Sequence, residues 1–161
     1  MFLCSGILYT HEDVTRNEYY VSKKITSGVA KIHLNLTNNI TLGDLNSTRD
    51  WLSAKDVVNA IWLILQQNVP DDYIISSGKS KSIEDFVKIS FDTIGLYDWG
   101  NYISIDTNFV RPKPKVEIVG DNSKLLSIGW KQEISFEEMI KELVIYEIEK
   151  NKNIKYKNFI K

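Results

Sequence analysis

Six side chains carry most of the chemical potential of this sequence: His11, Glu12 and Arg16 close together, then Lys24, Arg49 and Arg111. Arg49 is expected in a polar loop just ahead of an amphipathic helix whose N-cap is Ser53. A guanidinium beside free helical N–H groups can hold a phosphate, because its fork of donors and the positive end of the helix point the same way. An Arg-Asp pair before a helix, such as Arg49-Asp50, is more often a structural salt bridge. Taken one at a time, the other cations read as surface charges. Taken together, cations on several loops of an otherwise neutral chain suit a ligand that carries two phosphates. Glu12 could act as a base, but a structural or cofactor-ordering role suits it better.

Other chemistry finds little support. The chain has 161 residues and a formal net charge of -1, without the basic excess of a nucleic-acid binder. Its histidines, His11 and His33, are too few and too far apart for a histidine-based metal site, and Cys4 is the only cysteine, so no metal is expected. His33 is expected to be solvated. Scattered glycines form neither a Gly-x-Gly-x-x-Gly turn nor a Walker loop. Glu137, Glu138, Glu142, Glu147 and Glu149 read as a solvated helix face rather than a catalytic carboxylate pair. No apolar run approaches a membrane span, and Met1 to Tyr9 is too short, and lacks the basic flank, for a signal peptide. The cytoplasm is the expected compartment.

Periodicity predicts the elements that must position these residues. Residues 2–9 read as a buried strand holding Cys4, and 11–17 as a polar loop. Val21, Ile25, Val29 and Ile32 recur at helical spacing over 20–36. Residues 39–42 and 73–75 read as short strands. A helix over 53–67 presents Val57, Ile61, Ile64 and Leu65. Ser82 caps a third helix, with Asp85 at the capping-box position. Residues 103–105 form another strand candidate, and Arg111-Pro112-Lys113-Pro114 cannot be helical. A short helix over 123–128 ends at Gly129. A last helix starts at Ser135, with Glu138 completing a capping box and Phe136, Met139, Ile140, Leu143 and Val144 as core. The whole is an α/β chain with too few strands for a complete doubly wound sheet. Residues 1–150 form its body, and 151–161 are expected to be a frayed basic tail.

Several motifs match one known family. Gly6-Ile7-Leu8-Tyr9-Thr10-His11-Glu12 resembles the Gly-Ile-Leu-(Phe/Tyr)-Asn-His-Glu segment of GDP-mannose 4,6-dehydratases, which are extended short-chain dehydrogenase/reductases. Lys23-Lys24-Ile25-Thr26 resembles their Arg-Lys-Ile-Thr. Leu42-Gly43-Asp44-Leu45, Arg49-Asp50-Trp51 and Ala54-Lys55-Asp56 resemble Leu-Gly-Asn-Leu, Arg-Asp-Trp and Ala-Lys-Asp at the same spacing. Further on, Arg111-Pro112, Gly120-Asp121 and Gly129-Trp130-Lys131 resemble the family's Phe-Arg-Pro, Gly-Asp and closing Gly-Trp-Lys. Thr10, Thr15, Val110 and Pro114 depart from the pattern and leave the hexose open.

The resemblance implies the C-terminal part of an extended short-chain dehydrogenase Rossmann fold, with the last sheet strands and a small helical substrate-binding subdomain. It implies that His11 and Arg16 contact NADP, and that Lys24, Arg49 and Arg111 hold the guanosine diphosphate of GDP-mannose or a related GDP-sugar. The family's Tyr-x-x-x-Lys and dinucleotide turn have no counterpart in this sequence, so no catalytic residue is assigned and the chain alone is expected to be inactive. Its partner would be a separate N-terminal half, or copies in a homo-oligomer. Without the preceding strands an apolar sheet edge and face would lie open, so self-association is expected. A non-catalytic nucleotide-sugar-binding module, or a related GDP-sugar epimerase or reductase, are the alternatives.

Overall fold

The computed structural model describes residues 1–109 and 117–159, with side chains through Lys152. In chain order the elements are β1 (Ser5–Leu8), β2 (Thr10–Glu12), α1 (Val21–His33), β3 (Ile40–Leu42), β4 (Thr48–Ser53), α2 (Ala54–Ile64), β5 (Asp72–Ile75), β6 (Ser80–Ser82), α3 (Ile83–Asp92), β7 (Ile103–Ile105), α4 (Ser123–Ser127) and α5 (Phe136–Phe159). They fall into two compact units. The chain passes from one unit to the other several times, so each unit is assembled from separated stretches.

The first unit takes Met1–Asp13, Thr48–Lys81 and the described part of Pro114–Phe136. β1 and β5 pair in parallel, from Ser5 opposite Asp72 to Leu8 opposite Ile75. Parallel neighbours need a crossover, which here runs through β2, α1, β3 and β4 before α2 leads into β5. The N-cap of α2 is Ser53, whose Oγ accepts from the Lys55 amide at 3.3 Å. Val57, Ala60 and Ile64 of α2 pack with Leu52, Tyr73, Ile75, Leu125 and Trp130 into one buried cluster. A second sheet has the order β2-β4-β6, with Thr10 opposite Trp51 and Glu12 opposite Ser53. α4 stops at Gly129, whose φ of 94° is accessible to a residue without a Cβ.

The second unit takes Val14–Ser47, the described part of Ser82–Lys113, and Glu137–Lys161. α1 buries Ile25, Val29, Ala30 and Ile32. It ends in a Schellman motif closed by Asn35 at φ 56°, where Asn35 N donates to Ile32 O and Leu36 N to Lys31 O. β3 pairs in parallel with β7. Gly28 of α1 lies so close to Ile40 that a Cβ there would stand 2.7 Å from its side chain. Ser82 and Asp85 form the expected capping box on α3, and Phe91 of α3 stacks with Tyr102 at 5.6 Å between ring centroids.

Several sequence expectations need correction. The first strand is Ser5–Leu8, shorter than 2–9, and exposed rather than buried. It pairs with β5 along one edge, and among the described residues no strand lies along the other. His11 is on β2 rather than in a loop, and Arg49 is on β4 rather than in a loop, because the two short runs pair with one another. α2 ends at Ile64, and Ile61 and Leu65, expected to join its apolar face, are exposed. Residues 111–114 lie outside the described residues. The helix α5 runs from Phe136 to Phe159. Asn151 there is buried and donates Nδ2 to Glu147 O at 2.7 Å, while Lys152 pairs with Glu149 one turn back.

Candidate functional site

The Arg49-Asp50-Trp51 motif divides its work between two faces of β4, as strand alternation requires. Asp50 points inward and is 1 % exposed. Its carboxylate accepts from Ser77 N and Oγ, both at 2.7 Å, and from Gly78 N and Gly120 N, both at 3.1 Å. It makes no salt bridge with Arg49. Gly120 is obligatory at this junction, since a Cβ would stand 2.4 Å from Ser76 Oγ. Trp51 is buried, donates Nε1 to Lys81 O and lies 6.3 Å from the Phe136 ring. Asp56 of the Ala-Lys-Asp motif accepts from Glu133 N at 2.9 Å and Ile134 N at 3.2 Å. Both aspartates are therefore structural pins. Arg49 is the exposed member of its motif, its Nη1 donating to Thr48 O at 2.6 Å.

His11 and Arg49 stand on paired strands but not on one face. In the register of β2 with β4, His11 lies opposite Leu52 and shares the face of Asp50, whereas Arg49 shares that of Thr10 and Trp51. His11 Nδ1 is 3.0 Å from Tyr9 O. A carbonyl only accepts, so Nδ1 carries the proton and Nε2 of the neutral ring is left as an acceptor. Glu12 is buried on the same strand.

In the second unit, α1 sends two adjacent lysines to different tasks. Lys24 is exposed, with Nζ 4.7 Å from the centroid of the Phe109 ring. Gly43 meets the same residue, so that a Cβ there would lie 2.8 Å from Phe109 O. The turn after Gly43 is tied by Asp44, which accepts from Asn46 N at 3.0 Å and Ser47 Oγ at 3.2 Å. Lys24, the Gly43 turn and Phe109 therefore meet in one place. Arg111 follows Phe109 by two positions and lies outside the described residues.

Lys23 is buried. Its Nζ donates to Val14 O at 2.6 Å and pairs with Glu147 at 2.5 Å, and Tyr146 lies beside it. Arg16 sits nearby in the same unit, its guanidinium 3.6 Å from the Tyr20 ring centroid. A cavity of about 620 Å³ opens here, lined by Arg16, Tyr19, Lys23, Tyr146 and Lys150 among others. Sequence reading assigned Glu147 to a solvated face; it is 1 % exposed. The signal was present, since Glu147 continues the apolar spacing of Leu143, Val144 and Ile148. His33 is exposed at the end of α1, as expected. Among the described residues no cluster of His, Cys, Asp and Glu could hold a metal, and no helix is long and apolar enough to cross a membrane.

The comparisons with known proteins agree with these motifs. The chain is 39% identical over 150 residues to "GDP-mannose 4,6 dehydratase 2" of Arabidopsis thaliana, covering 92% of this chain and 40% of that protein. With the "GDP-mannose 4,6 dehydratase" of Homo sapiens the identity is 33%, over 92% of this chain and 45% of the relative. The chain thus spans less than half the length of these relatives. Among solved structures, RMD of Pseudomonas aeruginosa complexed with NADPH superposes with a TM-score of 0.80 at 19% identity, over 90% of this chain and 48% of that one. The dTDP-glucose 4,6-dehydratase of Bacillus anthracis, in complex with NAD, gives 0.73 at 19% identity over 92% and 45%. These likenesses show about half of a Rossmann-type short-chain dehydrogenase fold. A family model described as GDP-mannose 4,6 dehydratase matches residues 1–143. This chain belongs to the GDP-mannose 4,6-dehydratase family.

Proposed function

We propose that this chain is the sugar-nucleotide-holding portion of an NADP-dependent GDP-mannose 4,6-dehydratase. The whole reaction, a lyase reaction, oxidises a GDP-sugar at C4, removes water across C5–C6 and returns the hydride, giving a GDP-4-keto-6-deoxy sugar on the way to GDP-deoxysugars such as GDP-fucose. The observation that carries the reading is the meeting of Lys24, the Gly43 turn and Phe109, two residues before Arg111. Lys24 acts there as a compact point charge, and the planar guanidinium of an arginine such as Arg49 or Arg111 suits phosphate oxygens, which it can bind in pairs. Arg49 suits this task because Asp50 is occupied elsewhere and leaves the guanidinium uncompensated by its neighbour.

NADP, when bound, supplies the hydride acceptor. The residues present fit part of such a group. In one unit Arg16, over the Tyr20 ring at the edge of a cavity that also holds Lys23 and Lys150, carries a charge suited to a phosphate, and in the other His11 presents Nε2 as an acceptor. The contribution of these residues is binding and charge rather than turnover, and we place the chain in the cytoplasm.

Purified chain given GDP-mannose and NADP is expected to form no 4-keto sugar. Lys24→Ala is expected to weaken GDP binding about tenfold, the loss of one charge-assisted contact. Turnover by the chain alone, or unchanged binding in Lys24→Ala, contradicts the reading.

A further inference from the structure

Helix α1 begins in a way that local chemistry does not favour. It opens Val21-Ser22-Lys23-Lys24, with no acid in the first turn, and Tyr20 at the N-cap contributes no side-chain hydrogen bond. Two lysines at the positive end of a helix, without a capping side chain, should loosen that turn. The turn is nevertheless closed, since Lys24 N donates to Tyr20 O at 2.9 Å. Ile25, Val29, Ala30 and Ile32 bury the body of the helix but lie beyond its opening residues.

The contacts of Lys23 account for this. Lys23 is 5% exposed, and its Nζ reaches back nine positions to donate to Val14 O at 2.6 Å. The same ammonium pairs at 2.5 Å with Glu147 of α5, which is 1% exposed. One side chain thus ties the start of the segment 14–20, the first turn of α1 and α5 together, all within the second unit. A buried ion pair contributes little net stability, because desolvating both charges costs about what their attraction returns. Two apolar side chains of similar size would fill the space as well. They would not hold Val14 O, and that is what the lysine adds. Lys24, the next residue, is exposed and reaches the Phe109 ring.

We propose that Lys23 and Glu147 are positioning residues for the nucleotide-sugar site. Glu147 fixes the Lys23 ammonium, and Lys23 fixes the first turn of α1 on Val14. Lys24 is thereby held where a diphosphate can meet it. Neither member of the pair touches the ligand. This inference rests on the proposed function and names the residues on which the Lys24 charge depends.

The test compares GDP affinity, urea unfolding and amide hydrogen exchange in the full chain and two variants. In the double variant Lys23→Met with Glu147→Leu both positions are apolar, and the native unfolding midpoint should be kept. It should nevertheless bind GDP about tenfold more weakly, with the amides of 14–20 and of Lys24 exchanging about tenfold faster. Lys23→Met alone leaves Glu147 a counter-charge, because Lys150 Nζ already stands 3.9 Å from its carboxylate. It should show the same losses of affinity and protection, so either variant decides if the other fails to fold. Native GDP affinity in a folded variant, or unchanged protection of these amides, would overturn the proposal. Titration of the native chain separates the two readings. If native and variant chains bind GDP equally, the positioning role alone falls; if the native chain takes up no GDP, the nucleotide-sugar reading falls and takes the positioning role with it.

Discussion

Asp50 shows how a motif that looks chemical can be mostly architectural. Three backbone amides and one hydroxyl converge on its carboxylate, joining β4 to the turn after β5 and to Gly120. Asp50→Ala strands those buried donors and should cost roughly 2–4 kcal/mol in urea unfolding. Arg49→Ala should leave the unfolding midpoint nearly unchanged, because its side chain is exposed, and act on ligand binding instead. The Lys23–Glu147 pair permits a parallel contrast. Glu147→Gln leaves the Lys23 ammonium buried without its counter-charge and should destabilise the fold by about 3–5 kcal/mol. Lys150→Met should change stability by less than about 0.5 kcal/mol, since Lys150 is half-exposed and stands 3.9 Å from Glu147. The sequence offered Arg49 as a ligand group or a salt-bridge partner, and it could not show that Asp50 turns away, because that depends on amides 27 and 70 residues distant.

At the scale of elements, local signals were reliable where local chemistry decides the outcome. The caps Ser53 and Ser82, the Gly129 stop and the stripe of α1 were all legible. Ser82→Ala should cost about 1 kcal/mol by removing half of the capping box. Gly28→Ala should be destabilising although alanine favours helix, because the added methyl meets Ile40; an overpacking cost of about 1–3 kcal/mol is expected. What escaped sequence reading were the strands β2, β4 and β6, three, six and three residues long, whose identity depends on pairing within one sheet. Long-range pairing has no local periodicity to announce it. The contact of α4 with β5 supplies a pH test. Lys124 pairs with Asp71 and holds its carboxyl below the usual carboxylate range. A depressed folded-state pKa contributes stability above the ordinary carboxylate value, and this is lost as pH falls through the lowered one. The pair is exposed, so the effect is small. The difference in stability between the native chain and Asp71→Asn should shrink toward zero as the solution is acidified below pH ~4.

For the whole molecule, a family and about half of its fold are shown, and the remaining question is what this half does. Helical stripes and the ordered motifs made the fold class and the family legible in the sequence. The assembly from interleaved stretches was not, because each unit draws on three separated parts of the chain. The cations fared unevenly. Lys24 stands with the segment that leads to Arg111, while His11 and Arg49 lie on opposite faces of a strand pair. The central claim is therefore about binding, and it is tested by calorimetric titration of the chain with GDP and with NADP separately. The account predicts saturable, one-to-one binding of GDP in the absence of NADP. A chain that takes up neither nucleotide, or NADP alone, would contradict it.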